Sequence, residues 1–151
     1  MKNFYKFLKI SIFSFFLNLI ISLNVFAGLE GQGPLKLDPL VLDAFIKYLS
    51  PDDHNKKKGS ERHGRGWIFF VEENGLEFGY TYCPQGKQCS GDLSRVKRHC
   101  QKNIKKFLKR KGKCYLFARQ RTIVWDNKRI DIPPKADFDE IMEILIRNNF
   151  Y

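Results

Sequence analysis

The first 27 residues do not read as part of a folded domain. Met1 to Lys9 carries Lys2, Lys6 and Lys9, and a run of about 16 mainly apolar residues follows from Ile10 to Val25. Val25-Phe26-Ala27 then places small residues at the two positions a signal peptidase recognises. A spanning helix needs about 20 apolar residues. This run is shorter, is interrupted by Asn18 and Asn24, and has no basic stop-transfer cluster behind it. The pattern therefore predicts a secretory signal peptide over residues 1–27, cleaved after Ala27, with no transmembrane segment in the mature chain. No cysteine stands near the cut, which argues against a lipid anchor. The expected location is the periplasm or the exterior.

Cleavage leaves 124 of the 151 residues, enough for one small domain, and the three lysines removed take the net charge from +11 to +8. Cys83, Cys89, Cys100 and Cys114 all lie in the retained part. An even number of cysteines in a short exported chain reads as disulfides, which small cores need more than large ones do.

Along the retained chain, residues 28–36 (GLEGQGPLK) are glycine-rich and read as a flexible tail, leaving a single domain over 37–151. Asp38-Pro39 is a helix start, with Leu40, Ala44, Phe45 and Tyr48 at helical spacing and Pro51 as terminator. Asp52 to Gly66 is polar and basic and reads as a surface loop. Trp67–Glu72 and Leu76–Tyr82 form a hairpin about Asn74-Gly75, where a type I′ turn is expected. The second strand alternates, Leu76, Phe78, Tyr80 and Tyr82 on one side against Glu77, Gly79 and Thr81 on the other.

A helix is expected from about Asp92 to Lys111, capped by Ser90 or Asp92 and ended by Gly112, with Leu93, Val96, Cys100, Ile104, Phe107 and Leu108 as its apolar stripe. A second hairpin joins 114–118 to 122–126 through Arg119-Gln120-Arg121, and Ile130–Ile132 adds a short edge strand. A final helix starts at Asp137 with Glu140 three residues on, burying Phe138, Ile141, Met142 and Leu145. The order predicts an α+β fold: one antiparallel sheet of two β-hairpins, helices packed on one face, stabilised by disulfides.

Four cysteines permit three pairings. Cys83 and Cys89 close a small loop within bridging distance, whereas Cys89 and Cys100 would be separated by roughly 16 Å of helix. Cys83–Cys89 with Cys100–Cys114 is preferred, on the condition that the helix ends early or bends. The gaps do not match the close cysteine pairs of a structural zinc site. No cysteine is followed by histidine as haem attachment requires. No cofactor or metal is expected.

The surface feature with most functional content is one-signed. Arg95, Arg98, Lys102, Lys105, Lys106 and Lys109 recur at spacings of 3, 4, 3, 1 and 3, and no acid occurs from Leu93 to Lys113. Like charges at i,i+3 and i,i+4 repel. Such a face fits an anionic partner: an anionic polymer, lipopolysaccharide or an anionic lipid surface rather than a specific nucleic acid. Lys56-Lys57-Lys58, Arg62 and Arg65 would extend it. In a chain this rich in lysine, an ordinary solvated face is the competing reading. Catalysis would have to use His54, His63 or His99, and a ribonuclease-like phosphodiesterase is the alternative function. No catalytic residues are assigned, because nothing fixes two imidazoles about a phosphate and no G-x-S-x-G is present. Trp67, Trp125, Tyr80, Tyr82 and Tyr115 read as core before they read as a groove.

Gly79-Tyr80, Tyr82-Cys83, Cys89, Cys100, Gly112-Lys113-Cys114-Tyr115-Leu116-Phe117-Ala118 and Ile123-Val124-Trp125 together cover about a third of the chain. This module resembles one in small exported proteobacterial proteins of uncharacterised function. The resemblance implies a periplasmic, disulfide-bearing domain and implies no activity. The expectation is a non-enzymatic binding or interaction module with a basic helix face.

Overall fold

A computed structural model describes residues 28–50, 63–84, 89 and 92–151. The expected signal peptide, His54, Lys56-Lys57-Lys58 and Arg62 lie outside the described residues. The elements are α1 (Pro39–Leu49), β1 (His63–Glu72), β2 (Phe78–Pro84), α2 (Leu93–Asn103), a π-helical turn (Ile104–Leu108), β3 (Cys114–Arg119), β4 (Thr122–Ile123), a 3-10 turn (Trp125–Asn127), β5 (Ile130–Asp131) and α3 (Phe138–Arg147). The strands form one antiparallel sheet in the order β2-β1-β3-β4-β5. The α+β class and both preferred disulfides are as the sequence indicates, with Cα separations of 4.7 Å for Cys83–Cys89 and 6.3 Å for Cys100–Cys114.

The layering differs from expectation: helices cover both faces of the sheet, not one. Phe69, Val71, Phe117 and Trp125 pack with α1 and α3, while Ile68, Phe70, Leu116 and Val124 pack with Val96, Cys100 and Ile104 on the other side. The cause is visible in β1 and β3, whose cores are unbroken apolar runs, Ile68 to Val71 and Cys114 to Ala118, as strands buried on both faces require. The alternation of β2 points to a single buried face because Gly79 stands on the second one. There it has a different purpose: a Cβ at Gly79 would lie 2.9 Å from the Cys100 nitrogen and 3.0 Å from its Cβ. Glycine lets α2 seat directly on the sheet.

Several local readings shift. β1 begins at His63, inside the expected loop, and carries register irregularities between His63 and Ile68. The β1–β2 connection is five residues, 73–77, not a two-residue type I′ turn; only Gly75 adopts positive φ, 76°, while the Gly75 and Glu72 amides bond across the connection. A Cβ at Gly75 would strike the Lys36 carbonyl at 1.8 Å. An extra residue at Phe117 in β3 lets both Phe117 and Ala118 join the α1/α3 layer. Phe138, expected to be buried, is exposed.

Residues 28–36 are not a flexible tail. Glu30 pairs in parallel with Leu116, the Leu116 amide donates to the Leu29 carbonyl at 2.7 Å, and the Asp126 amide donates to Gly31 at 2.8 Å. β4 is only two residues long, so this segment takes the edge of β3 that β4 leaves open. Gly31 lies flat on the Trp125 ring, and Trp125 Nε1 donates to the Gly33 carbonyl at 2.9 Å. A glycine-rich composition here serves close approach rather than mobility.

Arg121 secures the opposite end. Its guanidinium donates to the carbonyls of Leu49, Ile132 and Pro133, joining the end of α1 to the strap that leads into α3. Burial holds its pKa below the ordinary arginine value.

Candidate functional site

The basic surface is built on α2. Asp92 caps the helix by accepting the Ser94 amide at 2.9 Å, and its carboxyl is held below the usual range by its bonds to Ser94 and then Arg95. Val96 and Cys100 face the sheet, which sets Arg95, Arg98 and Lys102 outward, all exposed. Arg98 lies 3.7 Å from Asp92; Arg95, Lys102, Lys105, Lys106 and Lys109 make no ion pair with another described residue.

The expected helix over Asp92–Lys111 is shorter. Regular α-helix stops at Asn103, the chain widens into the π-helical turn at Ile104–Leu108, and Lys109 reverses it in the left-handed conformation with φ 54° and ψ 26°. This is the early ending that the Cys100–Cys114 bond demands. Cys100 is locked to β3, so the chain has only residues 101–113 in which to climb one side and return. A straight helix to Lys111 would carry its end far beyond β3.

The reversal borders an open cleft of about 630 Å³ lined by Gln101, Lys105, Lys109, Arg110, Lys111 and Gly112. Beneath it, Arg110 donates to Glu72 Oε1 at 2.7 Å. The Glu72 side chain is 0 % exposed and also accepts from the Asn74 amide and Asn74 Nδ2, each at 2.9 Å. Arg110 is thus anchored by a buried counter-charge, while Lys105, Lys109 and Lys111 surround the opening without a carboxylate among the described residues. Gly112 has little room for a side chain: a Cβ there would sit 3.3 Å from Glu72 Oε1 and 3.2 Å from Ile104 Cγ2.

Of the six cations singled out in the sequence, the structure brings Lys105 and Lys109 to the cleft. Arg95, Arg98 and Lys102 line the helix above it, and Lys106 belongs to the π-helical turn. Arg110, Lys111 and Glu72 were missed. The signal for Glu72 was its place after Val71 in an apolar strand, where alternation sets an acid on the α2 face. Phe107 leaves the apolar stripe: it is 58 % exposed, with the Lys106 ammonium 4.8 Å from its ring centroid.

The other candidates are dispersed. His99 is exposed on α2, and His63 opens β1 far along the chain from it. Tyr80, Tyr82 and Trp125 are packed in the α1/α3 layer; Tyr82 donates to the Lys47 carbonyl at 3.1 Å. Burial pushes the Tyr48 phenol well above its ordinary pKa. It does the same for Tyr82, with Tyr80 adding to the rise. Among the described residues no cluster of three or more His, Cys, Asp or Glu could hold a metal ion, and no helix is long and apolar enough to cross a membrane.

Architecture and surface together define a small α+β domain, stapled by two disulfides, that carries a cationic cleft at the end of the basic helix α2. Comparison with family models, with curated proteins and with solved structures finds no match to the chain.

Proposed function

We propose that this protein is an exported, periplasmic binding module whose basic helix and cleft engage an anionic component of the cell envelope. The observation that carries the reading is the cleft rimmed by Lys105, Lys109 and Lys111, none of which forms an ion pair with a described carboxylate. A domain that needed only solubility would mix charge signs on such a surface. Arg110 contrasts with these lysines. It is pinned by Glu72 and shapes the site, whereas the lysines remain free to meet phosphate or carboxylate groups as mobile point charges. Export is supported by the basic, apolar and small-x-Ala succession of residues 1–27.

Retention on immobilised heparin, measured against salt, tests the binding. The wild-type protein should elute at a salt concentration that falls clearly when Lys105, Lys109 and Lys111 are replaced by Gln, because each phosphate-like contact adds to the salt dependence. Elution unchanged by these replacements would refute the assignment. Export is tested separately, by N-terminal sequencing of the protein recovered from periplasm: Gly28 is the expected first residue, and an intact Met1 chain confined to cytosol would overturn it.

A further inference from the structure

We infer that the anionic partner is the surface of a phospholipid bilayer, and that Phe107 is the side chain that enters it. This rests on the anion-binding reading above and names the partner within it. Val96, Cys100 and Ile104 follow one another at four-residue intervals on the sheet-facing side of α2. An uninterrupted α-helix would bring Phe107 and Leu108 back toward that same side, three and four residues on from Ile104. The π-helical turn adds a residue to the last turn, so Leu108 alone remains packed against the α2 layer and Phe107 is turned out to solvent.

The neighbours of that ring decide what it is for. Lys105, Lys106 and Lys109 flank Phe107 in sequence, all exposed, with the Lys106 ammonium near its face. Other large apolar side chains are exposed too, but Phe138 and Ile146 share α3 with Asp139, Glu140 and Glu143, an acidic setting that an anionic surface would repel. An apolar ring set among lysines matches an anionic interface: the ammonium groups meet phosphates at the headgroup level while the ring reaches the acyl boundary. A soluble polyanion would use the lysines and have no use for the phenylalanine.

The test compares two probes. Binding of the processed protein, beginning at Gly28, to phosphatidylglycerol-containing vesicles is measured by co-sedimentation, and retention on heparin in parallel, for wild type, Phe107→Ala and the double variant Lys105→Gln/Lys109→Gln. Phe107→Ala should weaken vesicle binding about tenfold, the scale of burying much of one aromatic side chain, and leave heparin elution where it was. The lysine variant should weaken both. In a Phe107→Trp protein, vesicles should shift the emission to the blue beyond any change in wild type. Wild-type retention on heparin without vesicle binding overturns the bilayer assignment alone; so does equal vesicle binding by wild type and Phe107→Ala, or a preference for lipopolysaccharide aggregates that Phe107→Ala does not alter. Failure to bind either probe removes the anion-binding reading as well.

Discussion

Glu72 shows how one residue can be structural and yet govern a surface. Its carboxylate lies wholly inside the protein, where an unpaired charge would be costly, and it is accommodated by Arg110 and by the amides of the turn that follows β1. Truncation removes four functions at once: acceptor for Asn74 twice over, a weaker acceptor for Leu76, and counter-ion for Arg110. Glu72→Ala should therefore lower stability by about 3 kcal/mol in urea denaturation, and Glu72→Gln, which keeps the shape and part of the bonding, by about half as much. Gly79 makes the complementary point about space. A methyl group there meets the backbone of α2 at Cys100, which the disulfide prevents from retreating, so Gly79→Ala should cost about 2 kcal/mol or more through displacement of the helix. Unfolding of that variant at wild-type denaturant concentration would contradict the close seating of α2 on the sheet.

Among the elements, α2 depends most on its ends. Asp92 is exposed, and its carboxyl is held below the ordinary range by its bonds to Ser94. A depressed folded-state pKa means that the ionised cap stabilises the folded protein above the unfolded carboxylate value of about 4, and that this contribution fades as pH falls through the lower folded value. Asparagine caps helices without titrating. Thermal melts from neutral to strongly acidic pH should thus show wild type losing part of its advantage over Asp92→Asn at the acid end, and parallel curves would contradict the assignment. The far end of α2 was not legible in the sequence. Lys, Leu and Arg continue to favour helix past Asn103, and only the Cys100–Cys114 bond, a constraint between elements, requires the chain to turn back. The six cations were readable as a one-signed face. Their division into a helix row and a cleft was not, because the reversal at Lys109 decides it.

Across the whole molecule, local patterns located the helices and strands well, and what they misjudged was how these elements are layered. Strong alternation in β2 suggested a sheet with one wet face; the uninterrupted apolar runs of β1 and β3 were the better guide, since they need cover on both sides. Such an arrangement leaves each helical layer thin, and the two disulfides then carry different weight. Cys100–Cys114 is buried within the α2 layer and closes 15 residues, so its removal by paired serine substitution should cost about 3 kcal/mol from chain entropy alone and more from the core. The Cys83–Cys89 pair closes a smaller loop at the edge strand β2, and its removal should cost less. Midpoints of denaturation for the two double-serine proteins measure the contrast, and losing both bonds equally would argue against it.

The parallel bridge between Glu30 and Leu116 has a kinetic corollary. Its partners are 86 positions apart, so this contact must wait until β3 exists and the intervening chain has been gathered in. The Leu116 amide is therefore a local clock, expected to gain protection from hydrogen exchange later than the β1–β2 hairpin in a pulse-labelling experiment. On the export route proposed above, the stretch that emerges foremost is then among the last to be fastened, and its glycines keep it free of competing structure while it waits.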